Sequence, residues 1–180
     1  MRIFFAINLP KELIENIDKF MEEQKNNTRL GKLRWVKPEH LHITLRFLGH
    51  VQKEQLMPLI EAVNETMHQK HIEPFTLETT GVISFPKEQP RVLSLGISNN
   101  DSLSKLVELV TLDTELMGFP REKRNFLPHL TLARFKLPPT LPLPTLEFPQ
   151  SEIPVNDITL YKSKPTAEGS HYTKLHVFKI

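Results

Sequence analysis

The chain has 180 residues, 39% of them hydrophobic, which is enough to bury a substantial core as one domain of two closely joined lobes spanning residues 1–180. Its 23 Lys and Arg against 21 Asp and Glu leave a formal charge of +2, too near neutral to indicate wrapping of long nucleic acid, although a local cluster suffices for one or two phosphates of a short RNA end. With no cysteine, disulfides, thiolate catalysis and cysteine-based zinc sites are excluded, and any metal would fall to His, Asp and Glu.

The chain opens with Arg2-Ile3-Phe4-Phe5-Ala6-Ile7, an apolar run too short for a secretory leader and without a small-residue cleavage site. It reads as a buried first strand. No segment approaches the roughly 20 apolar residues of a membrane span, so a cytoplasmic location is expected. Leu13, Ile14, Ile17 and Phe20-Met21 recur at helical spacing and predict an amphipathic helix over 11–25, with Pro10 at its start. Asn26-Asn27-Thr28 and Gly31 break that pattern, and 33–36 looks extended ahead of Pro38. A strand over 42–48 ends at Gly49. A second helix is marked by Gln55-Leu56, Leu59-Ile60, Val63 and Met67, and a third by Leu103, Leu106-Val107, Val110, Leu112 and Leu116-Met117, with Gly118 as its stop.

Between those helices, 75–82 and 92–97 are strand-like and flank a turn-rich stretch over 85–90. A further strand runs over 129–135. The prolines of 138–149 argue against helix and for an extended crossing segment. Strands over 155–161 and 172–180 close the chain, with Ala167-Glu168-Gly169-Ser170 between them. This order predicts an α+β fold in which two antiparallel sheets face across a cleft, with helices outside.

The strongest signal is a repeat. His42-Ile43-Thr44-Leu45 recurs eighty-seven positions later (129 − 42) as His129-Leu130-Thr131-Leu132, each copy on a predicted strand and each approached through a proline, Pro38 and Pro128. Strand alternation turns His and Thr to one face and the aliphatic pair into a core. Two imidazoles and two hydroxyls are thereby expected to line one cleft. Paired histidines suit proton transfer near neutral pH, because an unperturbed imidazole titrates at about 6.5 and serves in either state. Each threonine adds a small donor for an oxyanion.

Other residues carry weaker signals. His40 and His42 have an i,i+2 spacing that can chelate zinc, but His40 falls in the turn before the strand and no acidic third ligand is evident. His68 and His71 suit a helix C-terminus, and His50, His171 and His176 have no partner pattern, so all of these read as surface or structural. Lys32, Arg34 and Lys37 precede the first motif, and Arg121, Lys123 and Arg124 the second, a candidate phosphate-attracting rim. Trp35, Phe85 and Phe126 have the chemistry to stack on a base, although each also suits a core. Alternation sets Arg134 on the face opposite His129 and Thr131, which gives it a structural role unless a bulge re-aims it.

The segments around the motifs extend the pattern: Arg2-Ile3-Phe4-Phe5-Ala6-Ile7, Arg34-Trp35-Val36-Lys37-Pro38-Glu39, Phe47-Leu48-Gly49, Pro90-Arg91-Val92-Leu93, Arg124-Asn125-Phe126 and Pro128-His129 through Ala133-Arg134. In these the chain resembles the two-histidine (2H) phosphoesterase superfamily and, within it, the RNA 2′,3′-cyclic phosphodiesterase or 2′-5′ RNA ligase family, over essentially its whole length. It departs at His40, where a polar or acidic residue is more usual. The resemblance implies a bilobal α+β fold with pseudo-twofold symmetry and a hydrolase that opens RNA-terminal 2′,3′-cyclic phosphates to 2′-phosphates with no metal or cofactor. It implies His42 as proton donor, His129 as proton acceptor, and Thr44 and Thr131 as donors to the phosphate oxygens, on a monomer that acts on RNA 3′ ends. The near symmetry of the copies leaves the acid–base polarity open. Two alternatives remain open as well: 2′-5′ ligation or hydrolysis of other small cyclic phosphates at the same site, and an RNA-end binding module without turnover.

Overall fold

Five consecutive apolar residues, Ile3 to Ile7, bury all but the first residue of the first strand, β1 (Arg2–Ile7), which has antiparallel neighbours on both edges. The computed structural model describes residues 1–139, 142–166 and 169–180. After β1 come α1 (Lys11–Lys25), β2 (Leu33–Trp35), β3 (Ile43–His50), α2 (Lys53–Lys70), β4 (Phe75–Phe85), β5 (Val92–Ile97), α3 (Asp101–Leu116), β6 (His129–Phe135), β7 (Glu152–Val155), β8 (Asp157–Thr166) and β9 (Gly169–Lys179).

α1 buries Leu13, Ile17, Phe20 and Met21, one apolar stripe at helical spacing. α2 starts at a capping box between Gln52 and Gln55 and is tied to α3 by a hydrogen bond from Thr66 to Asp113 (2.9 Å). Asn100 caps α3 by accepting from the Leu103 amide, and α3 ends just before Gly118, whose φ of +88° few other residues adopt readily. Among the described residues, no helix is long and apolar enough to cross a membrane.

The strands run β7-β4-β5-β6-β3-β1-β8-β9, with β2 on β6, and every pairing is antiparallel. The order reads as two four-stranded halves, β7-β4-β5-β6 and β3-β1-β8-β9, each carrying one motif strand at its inner edge. This is the pseudo-symmetric α+β arrangement expected, with one difference. The halves join edge to edge through Ile43 and Leu130 into one curled sheet. The core lies between this sheet and the helices.

The expected strand over 155–161 is two strands. Val155 ends β7 and pairs with Phe75, while Asp157 begins β8 at the other end of the sheet, so the chain crosses between halves at Asn156. Pro154 is tolerated in β7 because that strand is an edge, where one row of backbone groups needs no partner. The proline-rich connection is anchored by Phe148, which is buried edge-on against Phe20 at 5.4 Å. Thr140 and Leu141 of that connection, and Ala167 and Glu168 of the expected turn, lie outside the described residues; Gly169 and Ser170 already belong to β9.

Candidate active site

The single pair Ile43–Leu130 brings the motifs together. Both residues are fully buried, so their neighbours point to the concave face. Carried one residue to either side, the antiparallel register sets Thr44 against His129 and His42 against Thr131. All four are half-buried, as side chains lining a cleft should be.

Each ring is oriented in the same way. The Nδ1–H of His42 donates to the carbonyl of His40 (2.7 Å), and the Nδ1–H of His129 donates to the carbonyl of Leu127 (2.7 Å). With Nδ1 committed to backbone, Nε2 is the nitrogen left for chemistry. The Thr44 hydroxyl donates to His42 Nε2 at 3.0 Å. Each imidazole also rests on a phenylalanine ring 4.9 Å away, His42 on Phe4 and His129 on Phe85. Burial lowers the His42 pKa to about 4, and the nearby His40 and His129 act in the same direction, against the hydrogen bond to the His40 carbonyl. In the free protein His42 is therefore neutral at pH 7.

Immediately after the threonine, both motif strands carry the same irregularity. In the β1–β3 ladder Ala6 pairs with Thr44 and Phe5 with Arg46, so Leu45 is an extra residue. In the β5–β6 ladder Ser94 pairs with Thr131 and Leu93 with Ala133, so Leu132 is extra. Each bulge puts two successive residues in the core, Leu45-Arg46 and Leu132-Ala133, and shifts the alternation by one. Arg134 is thereby moved out to the exposed side of β6 and lines a cavity beside the site, which corrects the face that plain alternation assigns it. Its counterpart on β3 is Phe47, two-thirds exposed, whose ring lies 5.2 Å from Phe4.

The cavity measures about 500 Å³, and its lining includes Arg34, Trp35, Val36, Lys37, His40, Arg134, His171 and Tyr172. It adjoins His42 through Tyr172, whose ring lies 5.3 Å from that imidazole and 4.9 Å from His40. Of the two basic runs before the motifs, only the first contributes to it. Arg121 is held by Glu108 and Glu115, and Arg124 by Glu122, so the second run's arginines are engaged by carboxylates. Of the candidate stacking rings, Trp35 lines the cavity, Phe85 supports His129, and Phe126 packs against the core. His40 and His171, which the sequence presents as surface or structural, line the cavity, whereas no three metal-ligating side chains gather anywhere among the described residues.

Comparison with known proteins agrees with this fold. Residues 7–94 match the family model described as LigT like Phosphoesterase. The RNA 2′,3′-cyclic phosphodiesterase of Methanothermobacter thermautotrophicus is 30% identical, covering 100% of this chain and 99% of that protein. The protein of the same name from Archaeoglobus fulgidus is 32% identical over 99% of this chain and 100% of its own length. Among solved structures, E. coli LigT complexed with 3′-AMP superposes with a TM-score of 0.82 at 27% identity, covering 99% of this chain and 97% of that one. The Thermus thermophilus protein TT0787 gives 0.82 at 30% identity with the same coverage. Sheet order, twin motif strands and full-length relatives together establish that the chain belongs to the LigT-like family of 2H phosphoesterases, whose curated relatives carry the name RNA 2′,3′-cyclic phosphodiesterase.

Proposed function

We propose that the chain hydrolyses the 2′,3′-cyclic phosphate at an RNA 3′ end to a 2′-phosphomonoester, by acid–base catalysis between His42 and His129 and without a metal. The observation that carries this reading is the matched orientation of the two rings, each with Nδ1 tied to a carbonyl two residues back and Nε2 left for the cleft. Water attacks phosphorus opposite the ribose 3′-oxygen. His129 takes the proton from water as the P–O bond forms, and His42 gives a proton to the 3′-oxygen as the P–O3′ bond breaks. Thr44 and Thr131 donate to the non-bridging oxygens, where negative charge grows in the transition state. The cycle ends with each ring in the other's starting state, and exchange with solvent resets them.

The test is a labelled oligonucleotide 2′,3′-cyclic phosphate incubated in EDTA, with and without an RNA bearing a 5′-hydroxyl. The expected product is the 2′-phosphate in both cases. A metal-reversible loss of activity would overturn the metal-free step, and tight binding with no product would replace the enzyme reading with a binding module. Conversion of the label to a longer strand would identify ligation as the dominant direction.

Polarity is tested separately. The two limbs of a bell-shaped rate profile look the same whichever ring is the acid, so a direct titration is needed. Burial disfavours the imidazolium of His42, whereas a bound anion favours it. By histidine NMR, the His42 ring is expected to titrate near 4 in the free protein and to move upward when adenosine 2′-phosphate is bound. A His42 ring that titrates no higher in that complex than in the free protein would reverse the assignment and make His42 the acceptor.

A further inference from the structure

Opposite Thr131 in the β5–β6 ladder stands Ser94, whose side chain is fully buried and whose hydroxyl, among the described residues, has no hydrogen-bond partner. A buried hydroxyl left alone costs stability, and such a group in a folded chain calls for an explanation. Its place is the concave face. Leu95 and Leu130 are direct partners that both lie in the core, so one residue along, Ser94 and Thr131 both turn toward the cleft.

The other half of the sheet supplies the comparison. Thr44 occupies the same position beside the bulge of β3, and its cross-strand partner is Ala6, a side chain with no polar atom. Thr44 needs no polar neighbour there, because its hydroxyl already donates to His42 Nε2 at 3.0 Å. The Thr131 hydroxyl, among the described residues, has no hydrogen-bond partner of its own. The halves thus differ in a matched way: a threonine aimed by its own histidine faces an alanine, and a threonine aimed by nothing faces a serine.

We propose that Ser94 is a positioning residue for Thr131: with the phosphate bound, the Ser94 hydroxyl donates to Thr131 Oγ1 while Thr131 donates to a non-bridging oxygen. The proposal rests on the hydrolase reading above and adds to it a residue that does not itself touch substrate. Direct cross-strand partners hold their Cβ atoms about 4.5–5.5 Å apart, so rotation of Ser94 about χ1 between staggered wells brings the two oxygens within hydrogen-bond range. A hydroxyl has one proton and two acceptor sites, so Thr131 can give and receive at once. Donation into Thr131 polarises its own O–H bond, and the gain grows with the negative charge on the phosphate oxygen, which is larger in the transition state than in the ground state. No proton leaves either hydroxyl.

The experiment is a double-mutant cycle of Ser94→Ala with Thr131→Val, read as single-turnover hydrolysis of an oligonucleotide 2′,3′-cyclic phosphate. With Thr131 in place, Ser94→Ala is expected to slow the step at saturating substrate by roughly 2- to 10-fold, the scale of one neutral hydrogen bond, with the half-saturating concentration little changed. In the Thr131→Val background, where no hydroxyl is left to aim, the same change is expected to leave the rate as it was. Ser94→Ala also removes an unpartnered polar atom and matches the arrangement at Ala6, so its Tm is expected to equal or exceed that of the parent. A variant as fast as the parent, an equal loss in both backgrounds, or a lower Tm would each overturn the positioning role while leaving the hydrolase reading intact. Full activity in Thr131→Val alone would remove Thr131 from the mechanism, and Ser94 with it. No hydrolysis by the parent chain would instead overturn the hydrolase reading and the positioning role together.

Discussion

Replacing His42 or His129 with alanine is expected to lower single-turnover hydrolysis of an oligonucleotide cyclic phosphate by on the order of 10²–10⁴, the contribution of one positioned acid or base. In the proposed mechanism the two rings serve one displacement, so the double variant is expected to lose little more than the worse single variant. Thr44→Ala and Thr131→Ala are expected to be milder, on the order of 10², as for removal of one oxyanion donor. None of these changes should unfold the chain. Each ring gives up one hydrogen bond to a backbone carbonyl, at His40 or Leu127, a loss of about 1 kcal/mol that thermal unfolding would register as a small shift. Near-normal turnover in either histidine variant would remove that residue from the mechanism, and wholesale loss of structure would make the kinetic comparison a statement about folding.

The motifs are legible because they depend on strand period alone. His42, Thr44, His129 and Thr131 sit two apart within short stretches whose aliphatic partners must be buried, and Ile43, Leu130 and Leu132 are. The helices are legible for a similar reason. The stripe of α1 marks both of its ends at Lys11 and Lys25, because Pro10 precedes it and Asn26 follows. Strands β5 and β6 also match their predicted limits, each lying between turn-forming residues.

What the sequence hides depends on pairing between distant segments. Arg134 falls on the wrong face because alternation assumes an unbroken ladder, and the extra residue Leu132 is defined only by the partners Leu93 and Ser94, some forty positions earlier. The same holds for Phe47 and the extra Leu45, whose partners lie in β1. The cavity needs β2 and the start of β9 side by side, a juxtaposition no local pattern encodes. The short β7 is masked by Pro154, a residue that argues against a strand until its edge position is known. Charge runs are equally ambiguous in one dimension: Arg34 and Lys37 face a cavity, while Arg121 and Arg124 are paired with glutamates that α3 and the following loop supply.

The bulge in β3 also creates a demand that a second large effect should expose. Arg46, the residue after the extra Leu45, points into the core and is only 7% exposed. Its Nε–H donates to the Thr114 hydroxyl (2.6 Å), and its Nη2 donates to the carbonyls of Phe119 (3.2 Å) and Pro120 (3.1 Å). These acceptors form the end of α3 and the turn beyond it, where helix carbonyls lack partners and a cation is favoured. Burial lowers the Arg46 pKa, but an arginine keeps its charge, and Glu115 helps to hold it. Arg46 thus clamps the first motif strand to the segment that leads into the second. Arg46→Met keeps the apolar stem and leaves two carbonyls and a hydroxyl without their donor, a loss of about 2–4 kcal/mol. For a chain of this size that corresponds to a fall in Tm of roughly 4–16 °C. Arg46→Lys, with one nitrogen in place of a fork, is expected to recover only part of it. A methionine variant as stable as the parent would mean that the buried guanidinium contributes no net stability, and that the two motif strands keep their places through Ile43, Leu130 and the core beneath them.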